Sequence, residues 1–285
     1  MELKNPALYS KRIRNNAIGL FLSMTAMAIG LSVLLWILFI LFSNGFAALD
    51  WAMFTEDTPA PGTEGGGLRN AIVGSLMMVG LSVLVSTPIG ILAGVYLAEY
   101  GDTSKTAEFT RFVTDIMLSA PSIVLGLFVY AIAVATMGNF SGYAGSLALS
   151  LIAIPVVVRT TENMLRLVPG SLREAAFALG APRWKVSTMV TLRAAKAGVL
   201  TGLLLAIARI SGETAPLLFT ALNNQFFTTD MGGPMSNLPV WIYQMAMSPF
   251  ENWNRLAWGG ALLITMTVLV LNIIARVLFR EKVKA

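Results

Sequence analysis

Ser171-Leu-Arg-Glu-Ala-Ala-Phe-Ala-Leu-Gly180 is a short helix-forming stretch set in a basic loop between two apolar runs of membrane scale, 143–158 and 197–222. Ser171 and Glu174 have the spacing of a capping box, in which the hydroxyl accepts from the amide of residue 174 and the carboxylate reaches back to the amide of residue 171. Pro169 precedes the stretch, and Gly180 can end it because glycine takes the left-handed backbone of a helix C-terminus. Pro182 then restarts the chain. The loop is therefore predicted to read helix, glycine corner, second helix. One reading is a surface that a partner grips; the other is an ordinary capped loop helix.

Outward from this loop the chain is 56% hydrophobic and 12% charged, with a mean hydropathy of +0.72. These values describe an integral membrane protein and not a soluble domain. A spanning helix needs roughly 20 mainly apolar residues, and six runs qualify: 17–43, 71–96, 113–137, 143–158, 197–222 and 256–279. The predicted fold is an all-α integral membrane protein of six transmembrane helices. The fourth run is the weakest, being short and interrupted by Pro155; its helix is expected to continue past Arg159 toward Arg166. The first run is too long for the apolar part of a signal peptide and lacks an Ala-x-Ala site, so an uncleaved anchor is expected.

The chain has no cysteine and no histidine. Thiol nucleophiles, zinc sites, haem ligation by histidine and Ser-His-Asp catalysis are therefore excluded. No Gly-x4-Gly-Lys-Ser/Thr sequence occurs either, so nucleotide must be handled by another subunit. The chain is accordingly read as non-catalytic, with no catalytic residue, no metal ligand and no bound cofactor.

Basic residues give the orientation. Lys4, Lys11, Arg12 and Arg14 precede the first run, Lys105 and Arg111 follow the second, seven more lie from Arg159 to Lys196, and Arg276, Arg280, Lys282 and Lys284 close the chain. The opposite loops hold only Arg69 and Arg255. The positive-inside rule places both termini and the 171–180 stretch in the cytoplasm. The net charge of +5 is then a matter of topology beside membrane lipid and implies no nucleic acid. The chain divides into a cytoplasmic segment 1–16, a first helix 17–43, an external loop 44–70, a five-helix core 71–279 and a cytoplasmic tail 280–285. The core includes the cytoplasmic loop 159–196 and the external loop 223–255. The first external loop carries Asp50, Glu56, Asp57 and Glu64 with Gly65-Gly66-Gly67, and reads as a flexible acidic segment. The second carries Phe226, Phe227, Trp241, Tyr243 and Trp253, which suit an interfacial belt and a docking surface equally.

Arg209 stands in the middle of the fifth run, with Glu213 four residues on and on the same helical face. A central arginine costs about 2.5 to 3.5 kcal/mol to insert and normally faces a cavity, a partner or a substrate path. Ser211, Gly212 and Pro216 allow the helix to bend there and expose backbone groups. The pair is either a structural salt bridge or a site for an oxyanion, which a guanidinium binds bidentately. Arg159, next after the fourth run, is a candidate for the inner mouth of a path or an interface anchor. Gly90-x3-Gly94 and Gly198-x3-Gly202 are spacings for close helix contact within the bundle or against a second subunit.

Glu174, Ala175, Ala176 and Gly180 match position by position the Glu-Ala-Ala-x3-Gly loop of ABC importer permeases, which the stretch resembles. In that family nine further residues lead to Ile-x-Leu-Pro; here those positions read Val190, Thr191, Leu192 and Arg193, so the proline that would kink the helix is missing. The segments Ala206-Ile-Ala-Arg-Ile-Ser-Gly-Glu-Thr-Ala-Pro-Leu-Leu-Phe-Thr-Ala221, Asn237-Leu-Pro239 and Met247-Ser-Pro249 narrow the resemblance to permeases of phosphate importers. It covers most of the chain and is densest from Pro155 to Arg280. The resemblance implies the type I permease architecture in a bacterial inner membrane. It makes Ser171, Glu174, Ala175, Ala176 and Gly180 parts of a cytoplasmic coupling helix that fits a groove on an ATP-hydrolysing subunit. It implies three partners: a dimer of ATP-binding subunits that uses the ATP, a PstC-like sister permease and an external phosphate-binding protein. It also ties Arg209 to phosphate passage, with Glu213 holding the arginine until the anion arrives. Arginine chemistry alone does not separate phosphate from sulfate or molybdate. An ion-coupled secondary transporter is disfavoured by the capped loop and by the lack of a recognisable inverted repeat. A membrane scaffold with a purely structural Arg209–Glu213 pair is the remaining alternative.

Overall fold

The structure, a computed structural model, describes residues 6–102 and 104–278. The tail 280–285 and Lys4 of the basic N-terminal cluster lie outside the described residues. In chain order the elements are α1 (Pro6–Ala48), a short α2 (Ala52–Thr55), α3 (Arg69–Tyr100), α4 (Lys105–Ser119), α5 (Ser122–Met137), α6 (Gly142–Arg166) and α7 (Gly170–Ala178). They continue with α8 (Arg183–Ala194), α9 (Lys196–Ser211), α10 (Ala215–Thr220), α11 (Leu238–Ala246) and α12 (Glu251–Leu278). No strand occurs among the described residues. Helices α1, α3, α6 and α12 are each long and apolar enough to cross a membrane. The bent pairs α4–α5 and α8–α9 bring the crossings to six if each pair is one span.

Two of the predicted spans are not continuous helices. Residues 113–137 break at Ala120-Pro121, where α4 and α5 meet at 106°. Ala120 is extended, with ψ 137°, as the clash with the following proline ring requires. Run 197–222 stops at Ser211 and resumes as α10, whose Pro216 sits in the first turn, where its missing N–H costs nothing. Helices α8 and α9 bend by 71° around Ala195. The bend expected from a proline is thus present without one, beside a wide π-type turn at Val186–Thr191. Helix α6, by contrast, passes Pro155 and continues to Arg166 as expected, since proline removes a single backbone donor.

Helix α6 is the axis of the bundle. Two-thirds (67%) of its most apolar window is buried, against none of that of α1. Glycines let its neighbours close on it: a Cβ at Gly90 would stand 2.6 Å from Val157, one at Gly94 2.6 Å from Thr161, and one at Gly202 2.6 Å from Thr160. Both small-residue spacings therefore serve contacts within this chain. Met78, Leu149, Ile152, Ile210, Leu217 and Met235 form the central core. Helix α1 packs on α12 near its C-terminal end, where Gly45 faces Leu262.

At the end of the bundle away from α7, the loop predicted to be flexible and the aromatic-rich loop 223–255 are both built in. In segment 44–70 the Leu68 amide donates to the Met53 carbonyl at 2.8 Å, the Gly66 amide to Glu56 Oε2 at 3.1 Å, and Asn252 Nδ2 to the Gly65 carbonyl at 2.9 Å. Gly65 and Gly66 have φ of +79° and +77° and form a tight corner, not a loose hinge. Loop 223–255 contains α11, which starts at Asn237 with its Oδ1 accepting from the Val240 amide. Trp241 is buried there and donates Nε1–H to Ser236 Oγ at 2.9 Å, so it belongs to the core and not to an interfacial belt.

Candidate functional site

Arg209 lies in the last turn of α9, and Gly212 follows as the cap, so the arginine sits at a break between helices and not in mid-helix. A basic residue in the last turn of α9 stands near the negative end of the helix dipole, a favourable place for positive charge. Across the break the backbone bonds are long: the Gly212 amide to the Arg209 carbonyl is 3.4 Å and the Glu213 amide to the Ile210 carbonyl is 3.3 Å. Glu213 remains the partner, but Arg209 Nε and Glu213 Oε1 are 4.0 Å apart, beyond hydrogen-bond range. The side chains are 45% and 17% exposed. Such a pair leaves the planar donor fork of Arg209 free for an oxyanion while Glu213 supplies a nearby counter-charge.

Helix α7 carries the loop motif. The capping box is not formed: Pro169 occupies the N-cap with φ −57° and ψ 139°, and no side chain caps the first turn. With the helix already started at Gly170, Ser171 lies inside the first turn, where its hydroxyl cannot take the cap position. The glycine corner is as expected. Gly180 has φ +79°, its amide donates to the Phe177 carbonyl at 2.9 Å, and the Ala181 amide donates to the Ala176 carbonyl at 3.1 Å. These two bonds are a Schellman motif. Glu174 and Ala175 are exposed and Ala176 is half-buried, and Leu172, Phe177 and Leu179 present apolar surface beside them. Arg173 points the other way. Its Nε and Nη2 donate to Glu99 Oε1 at 3.2 and 3.1 Å, Nη2 also to the Leu165 carbonyl at 2.8 Å, and Nη1 to the Val168 carbonyl at 3.0 Å. One side chain thereby ties α7 to the ends of α3 and α6.

Arg159 belongs to a different constellation from Arg209. It pairs with Asp115 at 3.1 Å and with Glu162 at 3.5 Å. Glu162, only 2% exposed, also accepts from Arg111 Nε at 2.8 Å and lies 3.1 Å from Arg166 Nη2. The spacing of Arg159, Glu162 and Arg166 along one helix face is present in the sequence, where Arg159 reads as a candidate for the inner mouth or an interface anchor and Arg166 serves only to orient the chain. Arg111, 51 residues from Glu162, is brought in by the fold alone. The Glu99–Arg173 tie was equally invisible to local spacing.

Residues 86–280 match the family described as binding-protein-dependent transport system inner membrane component. The phosphate transport system permease protein PstA of Yersinia pestis is 59% identical over 271 residues, covering 95% of this chain and 92% of that protein. Its counterpart in Pasteurella multocida is 58% identical over 282 residues, 99% of this chain and 100% of that one. Among solved structures, a bacterial alginate ABC transporter in complex with an alginate pentasaccharide-bound periplasmic protein superposes with a TM-score of 0.61. The match covers 96% of this chain and 98% of that chain at 15% identity, a likeness of fold. The helical architecture of four to six candidate crossings, the loop motif and these matches agree, and the chain belongs to the family of binding-protein-dependent transport system inner membrane components.

Proposed function

We propose that this chain is a permease subunit of an ATP-driven importer of inorganic phosphate. The observation that carries the reading is identity of 58% to a phosphate permease over the whole length of both chains. Arg209 meets the anion at the α9–α10 break, and Glu213 holds the arginine in its absence. The exposed face of α7, with Ser171, Glu174, Ala175 and Ala176 before the Gly180 corner, docks on an ATP-hydrolysing subunit. Displacement of α7 then passes through Arg173 to Glu99 and to the end of α6, the most deeply packed helix, and so alternates access to the path. Arg159 stands near the inner mouth. ATP is bound and hydrolysed by a dimer of partner subunits and not by this chain, which takes no cofactor. A sister permease completes the path, and an external phosphate-binding protein delivers the anion. Both termini and α7 face the cytoplasm of a bacterial inner membrane, in accord with the basic residues of the α7 end.

The test is uptake of labelled phosphate by cells whose only phosphate importer contains this chain, with sulfate and molybdate as competitors. Uptake that resists both competitors and is lost in Arg209→Gln at normal protein level supports the reading. Equal displacement of phosphate by sulfate or molybdate replaces it with a general oxyanion permease.

A further inference from the structure

At the α7 end of the bundle, Arg111, Arg159, Glu162, Asn163 and Arg166 enclose an open cavity of about 480 Å³. We propose that this cavity is a binding site for a phosphate-type oxyanion, held by Arg159, Asn163 and Arg166. The charges divide into a structural part and a free part. Arg111 spends its fork on protein: Nε on Glu162, Nη2 on the Leu97 carbonyl at 2.8 Å and Nη1 on the Gly101 carbonyl at 3.2 Å. The buried Glu162 carboxylate is thereby neutralised by Arg111, and Arg159 and Arg166, which also approach it to 3.5 and 3.1 Å, have only Asp115 and Asp102 as further counter-charges.

Their other acidic partners are weak competitors. Asp115 is half exposed, and Asp102 is exposed and 3.7 Å from Arg166. Ion pairs in water at such sites contribute little, whereas a phosphate oxyanion offers bidentate acceptors to each guanidinium. Arg159, Asn163 and Arg166 lie at i, i+4 and i+7 on one face of α6, so their backbones are fixed relative to one another. Asn163 is exposed in the cavity wall and adds a neutral donor. The carbonyl end of α6 opposes an anion, but that partial charge is smaller than the charge of two guanidiniums whose partners outside Glu162 are solvent-exposed carboxylates. The occupant is either inorganic phosphate, in which case the proposal rests on the import reading, or the phosphate headgroup of a membrane lipid, in which case it does not.

The experiment uses the full chain with Arg209→Gln as background, so that the α9–α10 site is silent, in phosphatidylcholine discs. Equilibrium binding of labelled inorganic phosphate is measured, and retention of phosphatidic acid from mixed discs is read by native mass spectrometry. One of the two ligands is expected to bind. Arg166→Gln with Asn163→Ala should weaken it at least about tenfold, the size of a lost charge-assisted bond, and Arg166→Lys should weaken it less. Asp115→Asn, which frees Arg159, should tighten it severalfold, a gain that misfolding cannot produce. Lipid retention without phosphate binding upholds the site and assigns it to lipid, whatever becomes of the import reading. Absence of both ligands, or binding indifferent to both the Arg166 and the Asp115 changes, overturns the proposal.

Discussion

Glu162 and Glu213 each have an arginine four residues away, Arg166 and Arg209, yet the two pairs stand in opposite surroundings. Glu162 precedes its arginine within a continuous helix, an order that suits the helix dipole. It is almost fully buried, and Arg111 and Arg159 join it from 2.8 and 3.5 Å. Glu213 follows its arginine across a helix break and stands 4.0 Å from it, with Arg209 nearly half exposed. The first carboxylate is charge that the fold has enclosed and must keep neutralised. The second pair is charge that the fold leaves available.

The contrast is tested first at Arg111. Removing it in Arg111→Ala takes from the buried carboxylate its shortest and least exposed partner and leaves only the more exposed Arg159 and Arg166, a loss of about 1.5–3 kcal/mol. The amount of folded chain in the membrane should fall sharply. Arg209→Gln should leave that amount nearly unchanged while reducing phosphate uptake to background. Equal losses of folded protein in the two variants would erase the distinction.

The next effect concerns whether Arg209 and Glu213 form a packing pair. The Arg209→Gln, Glu213→Gln double variant should assemble yet fail to take up phosphate, Arg209→Lys should do poorly for want of the fork, and Glu213→Gln alone should be impaired less. Recovery of uptake in the double variant would make the pair structural, like the one at Glu162.

A smaller effect is expected at Glu99→Gln, which removes the carboxylate that Arg173 grips and costs roughly 1.5–3 kcal/mol locally. Uptake per ATP hydrolysed should fall while hydrolysis continues, because α7 remains exposed but its charged tie to α3 is reduced to a neutral one. Unchanged coupling would remove Arg173 from the path of transmission.

The smallest effects separate the two ends of α7. Gly180→Ala forces an alanine into a left-handed backbone and should cost about 1 kcal/mol of the Schellman corner. Glu174→Ala, which breaks no cap, should change stability by less than about 0.5 kcal/mol. Any larger consequence of Glu174→Ala for ATPase association would then report the docking surface itself, as would a block by the bulk of Ala175→Trp. The measurement is thermal unfolding beside ATPase pull-down.

Much of this architecture was legible in the chain. Apolar runs marked six candidate spans, of which four are single long helices and two are bent pairs; Gly180 marked the corner, Gly90, Gly94 and Gly202 the close contacts, and the loop motif the family. Pro121 was a break signal inside an apolar run and went unread, because hydropathy averages over a single residue. Pro155 reads as an interruption of the fourth run, yet α6 runs through it to Arg166, as the expected continuation of that helix requires. The difference lies in the preceding residue, since Ala120 turns extended whereas α6 continues through its proline. Ser171 misled because capping-box spacing says nothing of which residue starts the helix, and Pro169 had already taken that place. At the sites, Arg209, Glu213 and Arg159 stood out as charges at or beside apolar runs. Arg111 with Glu162 and Glu99 with Arg173 did not, because their spacing exists only once α3, α4 and α6 are packed.

The meeting of Gly45 with Leu262 joins the first helix to the last. During synthesis the second of these residues appears more than two hundred residues after the first, an interval of roughly 10 to 40 s at ordinary elongation rates. Throughout that time α1 has no seat to occupy. It must stand in lipid on the strength of its own backbone hydrogen bonds, which its length and unbroken apolar surface permit. Closure of the two chain ends is therefore a late event in the birth of the protein, timed by the ribosome.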